Sequence, residues 1–368
     1  MKILIAPDSF KSSATSLEIA TWLEIGIKSV IPRCETILTP IGDGGEGSLD
    51  AALHAGFTST EYVVTGPTSK PVRARLGMKG DVALVELAQA SGLSQLPSKV
   101  LAPMQATSYG TGELILHALD QGAQTVILAI GGSACTDAGA GALQALGAHI
   151  RDSSGHELPA GGAALAHVAT LDVSTLDSRI ASTHFILASD VTNPLIGEAG
   201  AAEVYSPQKG ADSDQVKELA AAITHFASLA GSEHINAPGA GAAGGFGYMA
   251  LTFLAAVHQS GIDTFLSIVD FESKLAGVDY VITGEGKFDS QSMRGKTPFG
   301  IYCVATASQI PVILVCGQAE LNSSEDLRPG FKEIYTLNSF QPDISQCITN
   351  PRPIVEKIGQ SIALSLRR

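Results

Sequence analysis

Residues 2–11, KILIAPDSFK, contain the pattern that decides the fold. The apolar run at 2–6 predicts a short buried strand, and the polar residues after it predict a loop at its carboxyl end. Thr15 and Glu18 then have the spacing of a capping box, and apolar residues continue at helical intervals until Pro32. A buried strand that leads into an amphipathic helix is the repeating unit of an α/β protein.

The alternation of strands and helices recurs along the chain. The other apolar runs that predict strands are residues 36–40, 125–130, 185–189, 278–283 and 312–316. The helical patterns beside them are residues 50–55, 111–120, 216–229, 248–259 and 298–308. This alternation indicates parallel sheets, which bind ligands beyond the carboxyl ends of their strands.

Residues 61–87 follow a different pattern. Three segments in this region, 61–65, 72–78 and 82–87, alternate polar and apolar residues and are separated by Gly-Pro and Gly-Asp turns. Such a series predicts an antiparallel meander. The meander lies between strand–helix segments at both ends of the chain.

The chain length, 368 residues, also favours two domains over one. Because the meander interrupts the strand–helix pattern, we expect one domain to be inserted into the other. The expected division is a discontinuous domain at 1–60 plus 287–368 and an inserted α/β domain at 61–286.

The formal net charge of −13 argues against binding of a nucleic-acid backbone. A small phosphate compound can still bind where local cations or Mg²⁺ reverse the field. Five scattered cysteines without a Cys-x-x-Cys pair are typical of reduced thiols. Signal-peptide and membrane-span patterns are absent. We therefore expect a cytoplasmic protein without membrane association, and the sequence leaves a homo-oligomer open.

Five loops that follow strands or precede helices are rich in glycine, acidic residues or serine. They are residues 7–12, 42–47, 131–137, 190–194 and 284–289. Turn geometry and helix capping favour these residue types in any single loop. Turn geometry explains less well why all five loops follow strand ends, and this placement points to a ligand site.

Two glycine segments, 42–47 and 239–244, match the dinucleotide pattern G-x-G-x-x-G. The first would place the carboxylates of Asp43 and Glu46 against a pyrophosphate, and the second does not follow a predicted strand. We therefore reject a dinucleotide fingerprint. A Walker A sequence and a G-x-S-x-G elbow are also absent, which argues against a P-loop kinase and a serine hydrolase.

Acidic glycine loops do suit phosphoryl transfer. The reaction needs Mg²⁺ held by oxygen ligands, N–H groups on the phosphates, and a base beside the attacking hydroxyl. Gly131, Gly132 and Ser133, at an expected helix N-terminus, can supply the N–H groups. The acidic candidates are Asp43, Glu46, Asp190, Glu285 and Asp289, and the cationic candidates are Lys11, Lys209, Lys287, Arg294 and Lys296.

An ordered series of motifs covers most of the chain. The motifs are Ala-Pro-Asp-Ser-Phe-Lys at 6–11, Asp-Gly-Gly-Glu-Gly at 43–47, Gly-Gly-Ser-Ala at 131–134, Asp-Val-Thr-Asn-Pro-Leu at 190–195, Pro-Gln-Lys-Gly-Ala at 207–211, Pro-Gly-Ala-Gly-Ala-Ala-Gly-Gly at 238–245 and Thr-Gly-Glu-Gly at 283–286. In this order they resemble the bacterial glycerate kinase family, which includes D-glycerate 2-kinases. The series is far more specific than a single glycine match.

The resemblance implies an α/β fold of two domains, Rossmann-like in the discontinuous one, with the active site in the cleft between them. It implies ATP with Mg²⁺ as phosphoryl donor and D-glycerate as acceptor, in organic-acid and glyoxylate catabolism. Cys135-Thr136 depart from the family, which usually has Thr-Asn there, so this chain lacks the amide donor and acceptor of that Asn. Gly42 replaces a frequent Ala.

We expect ATP to place its phosphates on Gly131, Gly132 and Ser133. Asp190 is the first choice for the base or metal ligand at the acceptor hydroxyl, and Asp43 is the second. The predicted residues are, for catalysis, Asp190, Asp43 and Lys11; for the substrate, Asp8, Ser9, Glu46, Asn193 and Lys296; for the nucleotide, Gly131, Gly132, Ser133, Asp137, Lys209, Glu285 and Lys287; and for the metal, Asp190 and Asp289.

Three alternatives remain at this point. The sequence does not decide which hydroxyl of glycerate is phosphorylated, although the resemblance favours the 2-position over the 3-position. A dinucleotide-dependent dehydrogenase is a second reading, based on the two glycine matches. A protein that binds a sugar acid without catalysis is a third, although bare acidic loops would repel glycerate.

Overall fold

The computed structural model describes residues 1–11, 13–97, 100–289, 292, 296–320 and 330–367. The chain divides into two compact units. The first comprises Met1–Asp43, Asp50–Ala55 and Ser260–Arg368, and the second comprises Gly44–Leu49 and Gly56–Gln259. The C-terminal part of the first unit thus begins at Ser260, whereas the sequence led us to expect residue 287.

The sheet of the first unit explains this earlier start. Its strands are β1 Lys2–Pro7, β2 Glu35–Leu38, β11 Tyr280–Phe288, β12 Val312–Ala319 and β13 Glu333–Thr336. All neighbouring strands are parallel, in the order β13-β12-β11-β1-β2. The expected boundary at 287 falls inside β11, which is the middle strand of this sheet.

The first unit contains most of the C-terminal helices. Its helices are α1 Ser16–Val30, α9 Gly261–Ile268, α10 Phe271–Lys274, α11 Thr297–Ala307, α12 Leu337–Phe340, α13 Ile344–Thr349 and α14 Arg352–Leu366, and α2 Ser48–His54 contributes residues to both units. Ile3, Leu4 and Ile5 of β1 are 0% exposed, as expected for a parallel strand covered on both faces.

Helix α1 begins as predicted. Thr15 accepts a hydrogen bond from the Glu18 N–H at 3.2 Å, and the Glu18 carboxylate accepts one from the Thr15 N–H at 2.9 Å. This confirms the capping box. Further along, a Cβ on Gly26 would lie 2.1 Å from the carbonyl oxygen of Glu356 in α14. The two helices therefore pack with their backbones unusually close together.

The second unit contains a six-stranded sheet of order β10-β9-β6-β5-β4-β3. The strands of this unit are β3 Thr58–Thr65, β4 Pro71–Lys79, β5 Val82–Glu86, β6 Thr125–Ala129, β7 His149–Arg151, β8 Thr170–Asp172, β9 His184–Ala188 and β10 Val257–Gln259. The pairs β3–β4 and β4–β5 are antiparallel, which confirms the meander. From β5 onward the sheet is parallel, and β7 and β8 form a separate antiparallel pair.

Helices and short 3₁₀ turns cover this sheet. The helices are α3 Ala88–Ser91, α4 Tyr109–Asp120, α5 Ala140–Ala145, α6 Ala201–Tyr205, α7 Ser213–Ala230 and α8 Ala242–Phe253, and the 3₁₀ turns are Leu93–Gln95, Gly162–His167, Ser178–Ser182 and Pro207–Lys209. Across the described parts of both units, each helix falls short of the length and apolarity that crossing a membrane requires.

The predicted helix at 248–259 is wrong over its second half. Helix α8 ends at Phe253, Ala255 has a left-handed φ of 49°, and residues 257–259 form β10. Val257 pairs in parallel with Ile186 of β9. The hydrogen bonds of a sheet edge therefore override an apolar pattern that also fits a helix. Overall, the structure confirms an α/β fold with parallel sheets.

The close approach of α1 and α14 yields a test of the packing. In an exposed helix, Gly→Ala stabilises by about 1 kcal/mol. We expect Gly26→Ala to destabilise the protein instead, by about 1–3 kcal/mol, because the added methyl group would separate the helices. Urea unfolding followed by circular dichroism measures the change. Ser361→Ala in α14, whose hydroxyl donates to the Lys357 carbonyl oxygen, is the control and should unfold like the wild type. An unchanged or higher midpoint for Gly26→Ala would contradict the packing.

Candidate active site

The site of the first unit begins where β1 ends beside the carboxyl-terminal part of β11. Pro7 pairs with Gly284, and the N–H of Asp8 donates to the Gly284 carbonyl oxygen at 2.8 Å. Asp8 and Glu285 therefore stand side by side at the carboxyl edge of the sheet. β1 has β2 on one side and β11 on the other, so the strand order reverses here. Open parallel sheets bind ligands at such a reversal.

A cavity of about 320 Å³ opens at this edge, and all its lining residues belong to the first unit. It brings together a large part of the predicted site. The predicted residues that line it are Asp8, Ser9, Lys11, Asp43, Glu285, Lys287 and Lys296. Residues of the loops at 7–12, 42–47 and 284–289 thus line one cavity.

Asp8 is a buried carboxyl, only 7% exposed. It accepts hydrogen bonds from the Ser9 N–H at 2.7 Å and from the Thr297 hydroxyl at 3.3 Å. Burial raises the pKa of Asp8 well above its ordinary value, and the nearby charge of Asp43 raises the pKa further. The charged form of Asp8 is therefore disfavoured unless a cation approaches.

Glu285 is a second buried carboxyl in the same cavity. Burial raises the pKa of Glu285 to about 7, while a hydrogen bond from Ser292 and the charge of Lys296 oppose this rise. Its Oε1 atom is buried and has no hydrogen-bond partner in the described part of the chain. Neighbouring buried acids of this kind hold a shared proton or a cation.

Three lysines line the same cavity: Lys11, Lys287 and Lys296. Nζ of Lys287 lies 3.0 Å from a carboxylate oxygen of Glu320 and 3.8 Å from one of Asp289, a predicted metal ligand. Arg294, also a predicted cation, lies outside the described residues. Acids and lysines interspersed in one cavity suit an anionic ligand accompanied by a cation.

The described residues contain no group of three or more His, Cys, Asp or Glu side chains that could hold a metal ion. Mg²⁺ in phosphoryl transfer does not need such a group, because one or two carboxylates and the substrate phosphates suffice. The unpartnered Oε1 of Glu285 and the raised pKa of Asp8 fit a divalent cation at this edge.

In the second unit, the strands β5, β6 and β9 end along one edge. Glu86 pairs with Ala129, and Ala129 pairs with Ala188. Gly131 and Asp190 each follow these paired alanines by two positions. Since adjacent strands are about 4.8 Å apart, the loop that begins at Gly131 and the loop that begins at Asp190 are neighbours.

The glycine loop at 131–133 contacts the acidic glycine loop directly. The N–H of Gly131 donates to the Gly44 carbonyl oxygen at 2.9 Å, and a Cβ on Gly131 would lie 2.5 Å from the Gly45 Cα. A Cβ on Gly132 would come within 3.7 Å of the Glu46 Cβ. The amide of Gly131 is thus engaged within the protein. The expected helix N-terminus at this loop is wrong, because α5 begins only at residue 140.

Asp137 and Lys209, both predicted to bind nucleotide, are buried. The Asp137 carboxylate accepts hydrogen bonds from the Ser108 N–H and hydroxyl at 2.8 Å and from the Gly139 N–H at 3.1 Å. The Lys209 ammonium, 2% exposed, donates to the Ser133 hydroxyl at 2.9 Å and to the Cys135 carbonyl oxygen. These contacts hold the 131–137 loop, so both residues can act on a ligand through that loop.

The departure at Cys135-Thr136 has a structural consequence. Both residues are 0% exposed, and burial holds the pKa of the Cys135 thiol far above its ordinary value. The Thr136 hydroxyl is buried and has no hydrogen-bond partner among the described residues. Thr136 therefore does not replace the donor and acceptor of an asparagine by bonds to the protein.

Asn193, a predicted substrate ligand, has both ends of its amide engaged. Its Oδ1 accepts a hydrogen bond from the Tyr205 hydroxyl at 2.7 Å, and its Nδ2 donates to the Ala199 carbonyl oxygen at 2.8 Å. Asp190, on the same loop, is half-buried, and Glu46 is exposed. The described contacts of Asn193 organise the loop after β9.

Sequence reasoning missed Glu86, which is 0% exposed at the end of β5. Its carboxylate accepts hydrogen bonds from the Leu49 N–H at 2.7 Å and from the Gly47 N–H at 3.3 Å. It therefore holds the acidic glycine loop. Its position at the end of a buried strand could have identified Glu86, because the other acidic candidates were chosen for the same kind of position.

Sequence reasoning also missed one side of the first unit's cavity. This side is formed by Phe10, Leu337, Ile344 and Ile348, with the amides of Gln318 and Asn338 beside them. Apart from Phe10, which lies in the motif at 6–11, these residues belong to no motif and have ordinary helix and strand patterns. Their position becomes visible only from the strand order.

Parallel sheets with acids and lysines gathered beyond their strand ends define an α/β enzyme that acts on small anionic substrates. The relatives of the chain make this class more specific. The glycerate kinase family model matches residues 3–367. Glycerate kinase of Bacillus subtilis (strain 168) is 43% identical, over 100% of this chain and 98% of that protein. Glycerate 2-kinase of Escherichia coli (strain K12) is 42% identical, over 86% of this chain and 85% of that protein.

A solved structure gives the same result. The crystal structure described as "putative glycerate kinase 2" from Salmonella typhimurium LT2 has a TM-score of 0.83 and 39% sequence identity, and the match covers 100% of this chain and 98% of that one. The chain belongs to the glycerate kinase family. It is therefore a kinase, a phosphotransferase with an alcohol acceptor, and this confirms the resemblance found in its motifs.

The raised pKa of Glu285 predicts a pH-dependent stability. The folded protein binds the Glu285 proton more tightly than the unfolded chain does, so this contribution is present below about pH 4.5 and is lost as the pH rises to about 7. Glu285→Gln removes the titration. As the pH is raised from 5 to 8, we expect the free energy of unfolding of the variant to rise by about 2–3 kcal/mol relative to that of the wild type. Thermal unfolding in EDTA at both pH values measures this gain. Glu35→Gln, at a side chain 68% exposed, is the control. If the difference in stability between the variant and the wild type were the same at both pH values, the expectation would be refuted.

The contacts of Glu86 predict a local loosening in Glu86→Gln. The amide NH₂ cannot accept a hydrogen bond, so the N–H of Gly47 or of Leu49 loses its acceptor, at a cost of about 1–3 kcal/mol. Hydrogen exchange of the peptide that contains residues 44–49 should become faster. Glu61→Gln, which removes an exposed ion pair with Arg73, should leave this exchange unchanged. Unaltered exchange in Glu86→Gln would rule out the anchoring role.

Proposed function

We propose that this chain transfers the γ-phosphoryl group of ATP to the 2-hydroxyl of D-glycerate. The observation that carries the proposal is the cavity at the ends of β1 and β11, where acids and lysines from three family motifs meet. The names of the relatives from Bacillus subtilis and Escherichia coli supply the acceptor, and the second name supports the 2-position. Transfer to the 3-hydroxyl is the alternative.

The charges of the cavity suit the proposed acceptor. Glycerate carries one carboxylate, and Lys11 and Lys296 offer ammonium groups for it or for the transferring phosphoryl group. Asp8 and Ser9 lie on the same loop and are proposed to contact its hydroxyls. Glu46 and Asn193 remain sequence-based candidates for substrate contacts.

The proton of the attacking hydroxyl needs an acceptor. Asp190, after β9, and Asp43, in the cavity, are the two carboxylates proposed for this role, with Asp190 as first choice. A carboxylate accepts the proton late in the transfer, when the oxygen has become acidic. The role of Asp43 as proton acceptor has additional support, because Asp43 lines the same cavity as Lys11.

The proposal includes Mg²⁺ with ATP. Asp190 and Asp289 are the sequence-based candidates for holding the ion, and Glu285 joins them because its Oε1 atom is buried without a protein partner. A bound Mg²⁺ would neutralise charge on the phosphates. Gly132, Ser133 and Lys287 are proposed to contact the nucleotide, with Gly131, Asp137 and Lys209 shaping the loop.

The dehydrogenase reading loses support in the structure. In the 239–244 segment, a Cβ on Gly241 would lie 2.2 Å from the Pro194 carbonyl oxygen, and one on Gly244 would lie 2.2 Å from the Cys135 carbonyl oxygen. These glycines permit backbone packing inside the second unit, which accounts for them without a pyrophosphate. Binding without catalysis is separated from the proposal by an assay for ADP release.

The identity of the product tests the proposal. Incubation of the protein with Mg²⁺, ATP and D-glycerate should give 2-phosphoglycerate in the ³¹P NMR spectrum, with one ADP released for each product. A spectrum of 3-phosphoglycerate would select the alternative. Absence of any phosphoglycerate would reject the kinase proposal as stated.

Paired variants test the proton acceptor. We expect Asp190→Asn to lower kcat by about 10²–10⁴-fold, because the amide cannot accept the proton, while thermal unfolding stays close to that of the wild type. Asp43→Asn is measured beside it under the same conditions. Near-normal turnover in Asp190→Asn together with a large loss in Asp43→Asn would reverse our assignment of these residues.

A further inference from the structure

The cavity of the first unit is too large for glycerate alone. Its volume is about 320 Å³, within the range of sites that hold drug-sized ligands. Glycerate has three carbon and four oxygen atoms, so it would leave most of this volume unfilled. The cavity therefore has room for a second and larger ligand group.

The strand order gives the cavity two chemically different sides. The acids and lysines follow β1 and β2 or lie in the last part of β11 and after it, whereas Leu337 and Asn338 follow β13, at the edge of the sheet. The distance from β1 to β13 is three strand spacings of about 4.8 Å each. A ligand that fills the cavity is thus elongated, with charge at one end and apolar surface at the other.

The apolar side is made largely by α13. Its residues Ile344 and Ile348 are 58% and 46% exposed although they line the cavity. The helix is fixed at both ends: the Asp343 carboxylate accepts a hydrogen bond from the Ser345 N–H at 2.9 Å, and the Ser13 hydroxyl donates to the Ile348 carbonyl oxygen at 2.9 Å. A fixed aliphatic surface beside a charged site is typical of a ligand pocket with an apolar section.

Two amide side chains border this aliphatic surface. Gln318, near the end of β12, and Asn338, after β13, both line the cavity. Within the described residues, neither amide takes part in a hydrogen bond to another residue. Each offers donors and an acceptor, as the edge of a nucleobase does. A ring with polar edges and apolar faces fits between these amides and the two isoleucines.

We propose that the adenine ring of ATP binds on the aliphatic surface formed by Ile344 and Ile348, next to the buried Leu337, with Asn338 and Gln318 at its polar edge. The phosphates then extend toward Lys287 and Lys296 on the charged side. This inference rests on the proposed function for the identity of the nucleotide. It assigns the base site to residues outside every motif of the chain.

The double variant Ile344→Ser/Ile348→Ser tests this site. Isothermal titration calorimetry without glycerate measures Kd for Mg²⁺-ATP and for Mg²⁺-tripolyphosphate, which lacks the base. We expect ATP to bind roughly tenfold more weakly or worse, since apolar contacts to the ring are lost. Tripolyphosphate binding and the KM for glycerate should stay within about twofold of the wild type. Leu364→Ser in α14, at a side chain 55% exposed, is the matched control for loss of an exposed apolar residue.

The outcomes separate the possibilities. Unchanged ATP affinity in the double variant overturns the base site, and so does an equal loss of ATP and tripolyphosphate binding. If the double variant does not fold, Asn338→Ala takes its place, with weaker ATP binding and unchanged tripolyphosphate binding as the expected result. Unchanged ATP affinity in Asn338→Ala then counts against the site.

The same experiment distinguishes this inference from the proposed function. Binding is measured without glycerate, so ATP binding that depends on the two isoleucines supports the base site even if no phosphoglycerate is formed. Phosphoglycerate formation with unaltered ATP binding in the variants leaves the function standing and removes the base site. A wild-type protein that fails to bind ATP overturns both.

Discussion

The parallel pairing of β1 with β11 is the contact on which the cavity depends. The pairing runs from Ile3 opposite Tyr280 to Pro7 opposite Gly284, between segments at opposite ends of the chain. It places Asp8 beside Glu285, because each directly follows a paired residue. A register shift of one residue would turn the side chains of β1 to the opposite face of the sheet. The carboxyl pair and the core of the first unit therefore depend on the same set of hydrogen bonds.

Glycines allow close backbone contacts between β11 and β12, the next pair of strands in the sheet. A Cβ on Gly284 would lie 2.1 Å from the Val315 carbonyl oxygen, and one on Gly317 would lie 2.4 Å from the Gly286 carbonyl oxygen. Side chains are thus kept out of the edge between β11 and β12, which leaves space between the acids and the aliphatic surface. Burial of Asp8 and Glu285 opposes folding whenever both are charged, since desolvated like charges repel. Such a cost is common at a site whose charge is completed by a ligand.

Sequence patterns within short segments correctly predicted the helix starts, turns and strands that are determined by residues close together in the chain. The Thr15–Glu18 capping box, the meander and the positions of most strands followed from periodicity and turn chemistry. Residues 254–259 were wrongly predicted as helical because pairing with β9 is a long-range interaction that a single segment does not reveal. For the same reason the domain boundary expected at 287 fell inside β11. The convergence of Asp8, Asp43 and Glu285 was predictable only because each lies after, or in the last part of, a strand that was recognised.

The charged side and the apolar side of the cavity differ in how strongly they restrict the residue types that can form them. Phosphoryl transfer needs charges and N–H groups at fixed positions, which restricts residue types and produces motifs. An apolar ring needs only aliphatic surface and a few amides, which many residues supply equally well. Leu337, Ile344 and Ile348 accordingly lie in helices with no distinctive sequence, and their relation to Lys287 arises from the order β13-β12-β11. Family motifs can therefore identify the chemistry of an enzyme and still leave the binding site of the larger part of its substrate to be found from the fold.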